Sequence, residues 1–191
     1  MMIQRILTGL ALVQLCSMAV AQTRPISTPV VDLPRGAVTR ISSPDKKWGL
    51  IFECPNNCSE RRLSIEHNAT HQCRFISEYE RSLKVSWSPD SRSFFVDDDS
   101  GSNIAMSYVY DPLTLRVTDL ADSLTTRDKG AAQYLRAGHS YLRAKRWINS
   151  HELFVSLSGH FDEPPPRGFT VKYRISLDGT VRKISESPEE E

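Results

Sequence analysis

The residues best suited to chemistry cluster in the first half of the chain. Cys54 and Cys58 are followed by His67, His71 and Cys73. Thiolates and imidazoles are the preferred ligands of zinc, and the spacing C-x3-C-x8-H-x3-H has the form of a zinc-ligand set. The interval between the two pairs is short for a finger, and the cysteines of an exported chain favour disulfides. The expectation here is a disulfide and no metal.

A second stretch, Asp97-Asp98-Asp99-Ser100-Gly101-Ser102-Asn103, is rich in oxygen donors. Asp97, Asp99 and Asn103 alternate as calcium ligands do, but the distal bidentate glutamate of a full calcium loop is missing from the pattern. A polar hairpin turn is the expectation. His151-Glu152 begins like a zinc-protease motif without the second histidine. His139, His151 and His160 are the imidazoles from which a hydrolase would draw its base. The sequence contains no G-x-S-x-G, no phosphate-binding glycine loop and no C-x-x-C, and no cofactor is expected.

The first 21 residues read as a secretory signal peptide: Arg5, an apolar stretch from Ile6 to Val20, and the A-x-A site Ala19-Val20-Ala21. The expected address is periplasmic or extracellular, without membrane insertion after cleavage. Removing Arg5 takes the formal net charge from +1 to zero. A neutral chain has no field to draw it to nucleic acid. The local cluster Arg143, Lys145 and Arg146 reads as a solvated strand face.

These side chains need a scaffold, and the spacing of turns defines it. Ser43-Pro44-Asp45 recurs 45 residues later as Ser88-Pro89-Asp90, each followed by polar residues and an apolar run. Residues 83–120 carry the unit most clearly: Leu83, Val85 and Trp87 alternate, the turn follows, and three more short strands come after it. The same frame fits 38–80 and, more loosely, 141–185, where Trp147 to Phe154 repeats the seven-residue step from Trp87 to Phe94. Residues 22–37 read as an extended leader, 123–138 as one inserted helix capped by Gly138, 160–168 as a proline-rich loop, and 186–191 as a disordered acidic tail. The fold class is all-β, with three antiparallel four-stranded meanders in one domain over 38–185.

The run from Val85 to Val96, Val-Ser-Trp-Ser-Pro-Asp-Ser-Arg-Ser-Phe-Phe-Val, resembles the repeat of TolB-type β-propellers. The match is partial around Ser43-Pro44-Asp45 and degenerate at Trp147. The family's usual glycine after the aspartate is Lys46 in one copy and Ser91 in the other. The resemblance implies bladed β-architecture and a role in binding proteins or peptides. Closed propellers use four to eight blades, and only three units fit here. A partial, open propeller is expected, ahead of a ring closed by self-association or a merged sandwich.

The meander also orders the cysteines. Cys54 and Cys58 flank one hairpin loop, whereas Cys73 begins a strand at the opposite end of the sheet. A bridge needs Cα atoms within about 7 Å, and a five-residue strand spans about 17 Å. The expected disulfide is Cys54–Cys58, with Cys73 a free thiol. Trp48, Trp87 and Trp147 are expected to pack between sheets. The functional expectation is a non-enzymatic exported module binding a protein or peptide at a rim or open sheet edge. The alternatives are a small hydrolase, or an inhibitor or chaperone of another envelope protein.

Overall fold

The computed structural model describes residues 28–34, 38–54 and 60–189. The signal segment and Cys58 lie outside the described residues. Unit 1 is an antiparallel meander of β2 (Val38–Ser42), β3 (Trp48–Glu53), β4 (Arg62–His67) and β5 (Gln72–Glu78). Unit 2 comprises β6 (Ser82–Trp87), β7 (Phe94–Asp99), β8 (Ile104–Tyr110) and β9 (Val117–Asp119). Unit 3 comprises β10 (His139–Asn149), β11 (Glu152–Phe161), β12 (Arg167–Ser176) and β13 (Val181–Glu189). One piece of the leader, β1 (Val31–Leu33), pairs antiparallel with β6 and covers the inner edge of unit 2.

Alternation along the strands places the middle sheet between two cores. Leu83, Val85, Trp87, Phe94 and Val96 pack with Leu50, Phe52, Leu63 and Ile65 of unit 1. Phe95 and Val109 turn the other way and pack with Leu142, Trp147, Val155 and Tyr173 of unit 3. Side chains on opposite faces of one sheet thus serve neighbouring blades.

Three features depart from the sequence expectation. The units are not three separate sheets, because the start of β10 pairs in parallel with β8 at Ser140↔Ile104 and Tyr141↔Ala105, joining units 2 and 3. The β10 strand is long enough to reach β8, and a register shift between Ala144 and Arg146 re-aims its second half. The expected single helix over 123–138 is two: α1 (Leu120–Arg127) and α2 (Ala131–Leu135). It breaks at Asp128, whose carboxylate accepts the Gly130 N–H at 2.9 Å, and glycine is a poor helix interior. The cap is also earlier than expected, at Arg136 and not Gly138. Finally, β13 continues to Glu189, into the stretch expected to be a disordered tail. Thr170 and Phe169 pair with Ser187 and Pro188, and Pro188 fits because β13 is an edge strand that needs no outward donor there.

The two Ser-Pro-Asp turns are the same object. In each, the serine hydroxyl donates to the aspartate at 2.7 Å (Ser43 to Asp45, Ser88 to Asp90). The same hydroxyl oxygen accepts the N–H of the residue five positions on, Trp48 or Ser93, at 3.0 Å. Lys46 and Ser91 sit at φ 60° and 65°, the left-handed conformation that explains the usual glycine. The turns also touch: the Asp45 N–H donates to Ser91 Oγ at 2.9 Å. Lys46→Gly is therefore expected to stabilise the chain by up to about 1 kcal/mol. Ser91→Gly relieves the same strain but deletes the link between turns, and should be neutral or destabilising. Urea titration of both variants checks the contrast.

The tryptophans repeat a second tie. Trp87 Nε1 donates to Ile41 O at 3.2 Å, from unit 2 back to unit 1. Trp147 Nε1 donates to Ser86 O at 3.2 Å, from unit 3 back to unit 2. Both are buried, whereas Trp48 is half-buried on β3.

Candidate functional site

The two insertions that set unit 3 apart meet on one side of it. Asp119 caps α1 by accepting the Ala121 N–H at 2.7 Å, and Leu120 and Leu124 anchor that helix in the core. Asp128 then turns the chain and accepts the Tyr173 hydroxyl at 3.1 Å, fixing the helix junction to β12. Burial, with the charge of Asp128, pushes the Tyr173 phenol up. Helix α2 is left lying on β10 and β11. The second insertion extends the β11–β12 hairpin through Pro164-Pro165-Pro166.

Between α2, this hairpin and β13 lies a cleft of about 620 Å³. Its floor is aromatic: Tyr134 and Phe169 have ring centroids 4.8 Å apart, and Phe161 and Phe169 5.2 Å. Its rim is charged with both signs. The Arg167 guanidinium stands 5.9 Å over the Phe161 ring and donates to Glu163 at 3.2 Å. Glu186 accepts from the Tyr134 hydroxyl and from Lys183. The Lys183 ammonium and the Tyr134 hydroxyl hold the Glu186 carboxyl below its usual range, and the bond to Glu186 raises the Tyr134 phenol. Tilted, mutually packed aromatics beside a paired arginine suit an apolar or aromatic side chain flanked by charge.

The residues singled out in the sequence fall elsewhere. Cys54 is buried just past the end of β3, whose last residue Glu53 pairs with Arg62, while His67, His71 and Cys73 lie at the other end of β4. The length of β4 separates Cys54 from the histidines of the zinc pattern. His67 Nδ1 is 3.1 Å from Thr70 Oγ1, and His71 Nδ1 is 2.9 Å from Glu66. Cys73 is an exposed free thiol, and the partner expected for Cys54 lies outside the described residues.

The calcium candidates are not gathered either. Asp97 and Asp99 belong to β7 and not to the turn. Asp97 accepts from the Ser107 hydroxyl and, at 2.9 Å, from the Ala144 N–H of unit 3. Asp99 holds Arg143 at 2.6 Å, and Asn103 donates to Gly138 O at 3.2 Å. Within the basic cluster Arg143 is paired with Asp99, whereas Lys145 and Arg146 are exposed on the strand face, Arg146 over the Phe154 ring at 5.4 Å. Of the three histidines, His139 and His160 face each other across β10 and β11, whereas His151 lies in the turn at the far end of that ladder.

No protein-family model and no curated protein sequence matches the chain. Among solved structures it is similar to the β-propeller domain of the Trilobed protease from Pyrococcus furiosus, described as having an open velcro topology. The identity is 15%, the TM-score 0.51, and the match covers 78% of this chain and 43% of that one. The fold is a partial, open β-propeller. TolB from Acinetobacter baumannii also matches, at 16% identity and TM-score 0.35, over 82% of this chain and 43% of that one. The chain thus spans less than half the length of either matched chain. Among the described residues, no helix is long and apolar enough to cross a membrane.

The sequence singled out no residue of the cleft. The signal was the pair of insertions itself, because additions to one repeat of an array map to loops on one face.

Proposed function

We propose that this chain is an exported, non-enzymatic interaction module that holds a segment of a protein partner in the cleft of unit 3. One observation carries the reading: the two insertions absent from units 1 and 2 converge there, around Tyr134, Phe161 and Phe169. The blades supply a rigid base, and the insertions supply an aromatic floor with an arginine at its edge. Aromatic and arginine side chains are those most enriched where binding energy concentrates. The propeller architecture supports a protein-interaction role, and the signal segment supports export.

Affinity capture from the envelope of the source cell tests this with the unaltered chain, Phe161→Ala and Arg167→Ala. Phe161 is only half-buried and Arg167 is exposed, so both variants should keep their fold. Each is expected to weaken capture by about 10- to 100-fold. Undiminished capture by both variants would overturn the cleft as the site. Turnover of generic ester or peptide substrates by the purified chain would overturn the non-enzymatic reading in favour of a hydrolase.

A further inference from the structure

Across β10 and β11 from the first insertion, His139 and His160 form a cross-strand pair whose rings stack with centroids 3.9 Å apart and planes 27° apart. Both Nδ1 atoms point at one oxygen of Asp162, His139 from 3.6 Å and His160 from 3.9 Å. Those separations are too long for hydrogen bonds. Both ring nitrogens are buried and lack a hydrogen-bond partner among the described residues. Leaving a buried ring nitrogen unsatisfied is unfavourable, and here two such atoms share one target.

Two glycines make this arrangement accessible. A Cβ at Gly138 would stand 1.7 Å from the Asp162 carboxylate, and one at Gly159 would stand 1.9 Å from the His139 carbonyl. Gly138 therefore lets the carboxylate lie against the strand start, and Gly159 lets β10 and β11 approach beneath the rings.

We propose that His139, His160 and Asp162 bind a divalent transition-metal ion, with zinc the best match. Two imidazoles and one carboxylate are zinc ligands, and their three donor atoms all lie within 4.8 Å of one another. Zinc–ligand distances near 2.1 Å place tetrahedral donors about 3.4 Å apart. The observed distances of 3.6 and 3.9 Å to Asp162 approach that value, and turning the stacked rings would aim both Nδ1 lone pairs at one ion. Calcium and magnesium prefer all-oxygen sets and are disfavoured here. Three protein ligands leave a fourth position for water. The ion would fasten the β11–β12 hairpin, which carries Asp162, to the connection leaving α2. Because Phe161 lies between two of the ligands, the metal would also steady one wall of the cleft. The histidines come from strands 21 residues apart in sequence, so no linear motif announces them.

The test uses the untagged chain, stripped with chelator, and zinc chloride alone, with no partner present. Its outcome is therefore separate from that of the capture experiment. Calorimetric titration is expected to show one saturable zinc equivalent and a Tm raised by several degrees. His160→Ala should lower affinity at least about 100-fold, since even outer-shell partners of a metal account for about 10- to 100-fold. Asp162→Asn alters an exposed side chain, so it preserves the fold and should also weaken binding. Cys73→Ser should leave binding unchanged, which separates this site from the free thiol. Cobalt substitution should give the visible absorption of a tetrahedral site, lost in Asp162→Asn. Absence of saturable binding by the folded chain, or binding that survives both ligand variants, would overturn the proposal.

Discussion

Asp97→Asn is expected to remove a large pH dependence from the stability of this protein. Asp97 is only 1% exposed, between units 2 and 3. Burial pushes its carboxyl up to about 7, although the Ser107 hydroxyl, the Ala144 N–H, Lys145 and Arg143 all favour the charged form. Its second oxygen has no hydrogen-bond partner among the described residues. In the unfolded chain the group titrates near 3.8. Between those values the folded state binds the extra proton, so stability falls as pH rises from about 4 to about 7. At 1.36 kcal/mol per unit the loss amounts to about 4 kcal/mol, an upper figure for a group with compensating contacts.

Asparagine keeps the acceptor for Ser107 and Ala144 and carries no charge. The variant should gain stability relative to the parent above pH 7 and lose that advantage near pH 4. Glu66, held down by Arg40, and Asp178, held down by the Thr180 N–H, contribute the opposite slope in both proteins. The difference between parent and variant therefore isolates Asp97. Urea melts at several pH values measure it, and a difference that does not vary with pH would contradict the assignment.

Trp147→Ala is expected to cost about 4 kcal/mol, the usual range for a fully buried aromatic. Trp147 is 3% exposed, packs 6.2 Å from Phe95 and donates to Ser86 O. It is a buried side-chain tie from unit 3 back to unit 2, beside the β10–β8 pairing and the Ala144–Asp97 bond. Domains of this size are stable by only about 5–15 kcal/mol. The substitution should lower the melting temperature and broaden the transition, as unit 3 loosens from the rest. Trp147→Phe keeps most of the packing and strands the Ser86 carbonyl, and should cost about 1–3 kcal/mol. Trp48→Ala, at a half-buried position, should cost less than Trp147→Ala. Calorimetry of the three variants gives the order, and equal losses at Trp48 and Trp147 would refute the role assigned to the inter-blade tie.

The blades were legible in the sequence because their determinants are local. Alternation of Leu83, Val85 and Trp87 depends on the pleat of one strand. The Ser-Pro-Asp turns close within six residues, through bonds each serine makes to its own neighbours. The same reasoning missed the break at Asp128, which depends partly on Tyr173, 45 residues away. It also missed the reach of β13, because backbone pairing with β12 outweighs the charge of the side chains it carries. The aspartates of 97–99 looked like turn residues with metal-binding character. Strand β7 instead sends Asp97 into the interface with unit 3, where the Ala144 N–H meets it.

By itself, then, the sequence determined the strands, the repeat and the turns, since short-range sterics and hydrogen bonds decide those. Tertiary structure alone decided which side chains share a space. The cleft joins Tyr134, Phe161, Phe169 and Glu186, and the histidine cluster joins residues 139, 160 and 162, only after β10 and β11 pair and the hairpin folds back beside α2. Those meetings depend on register and on the path of two insertions, and neither has a period that a linear pattern can carry.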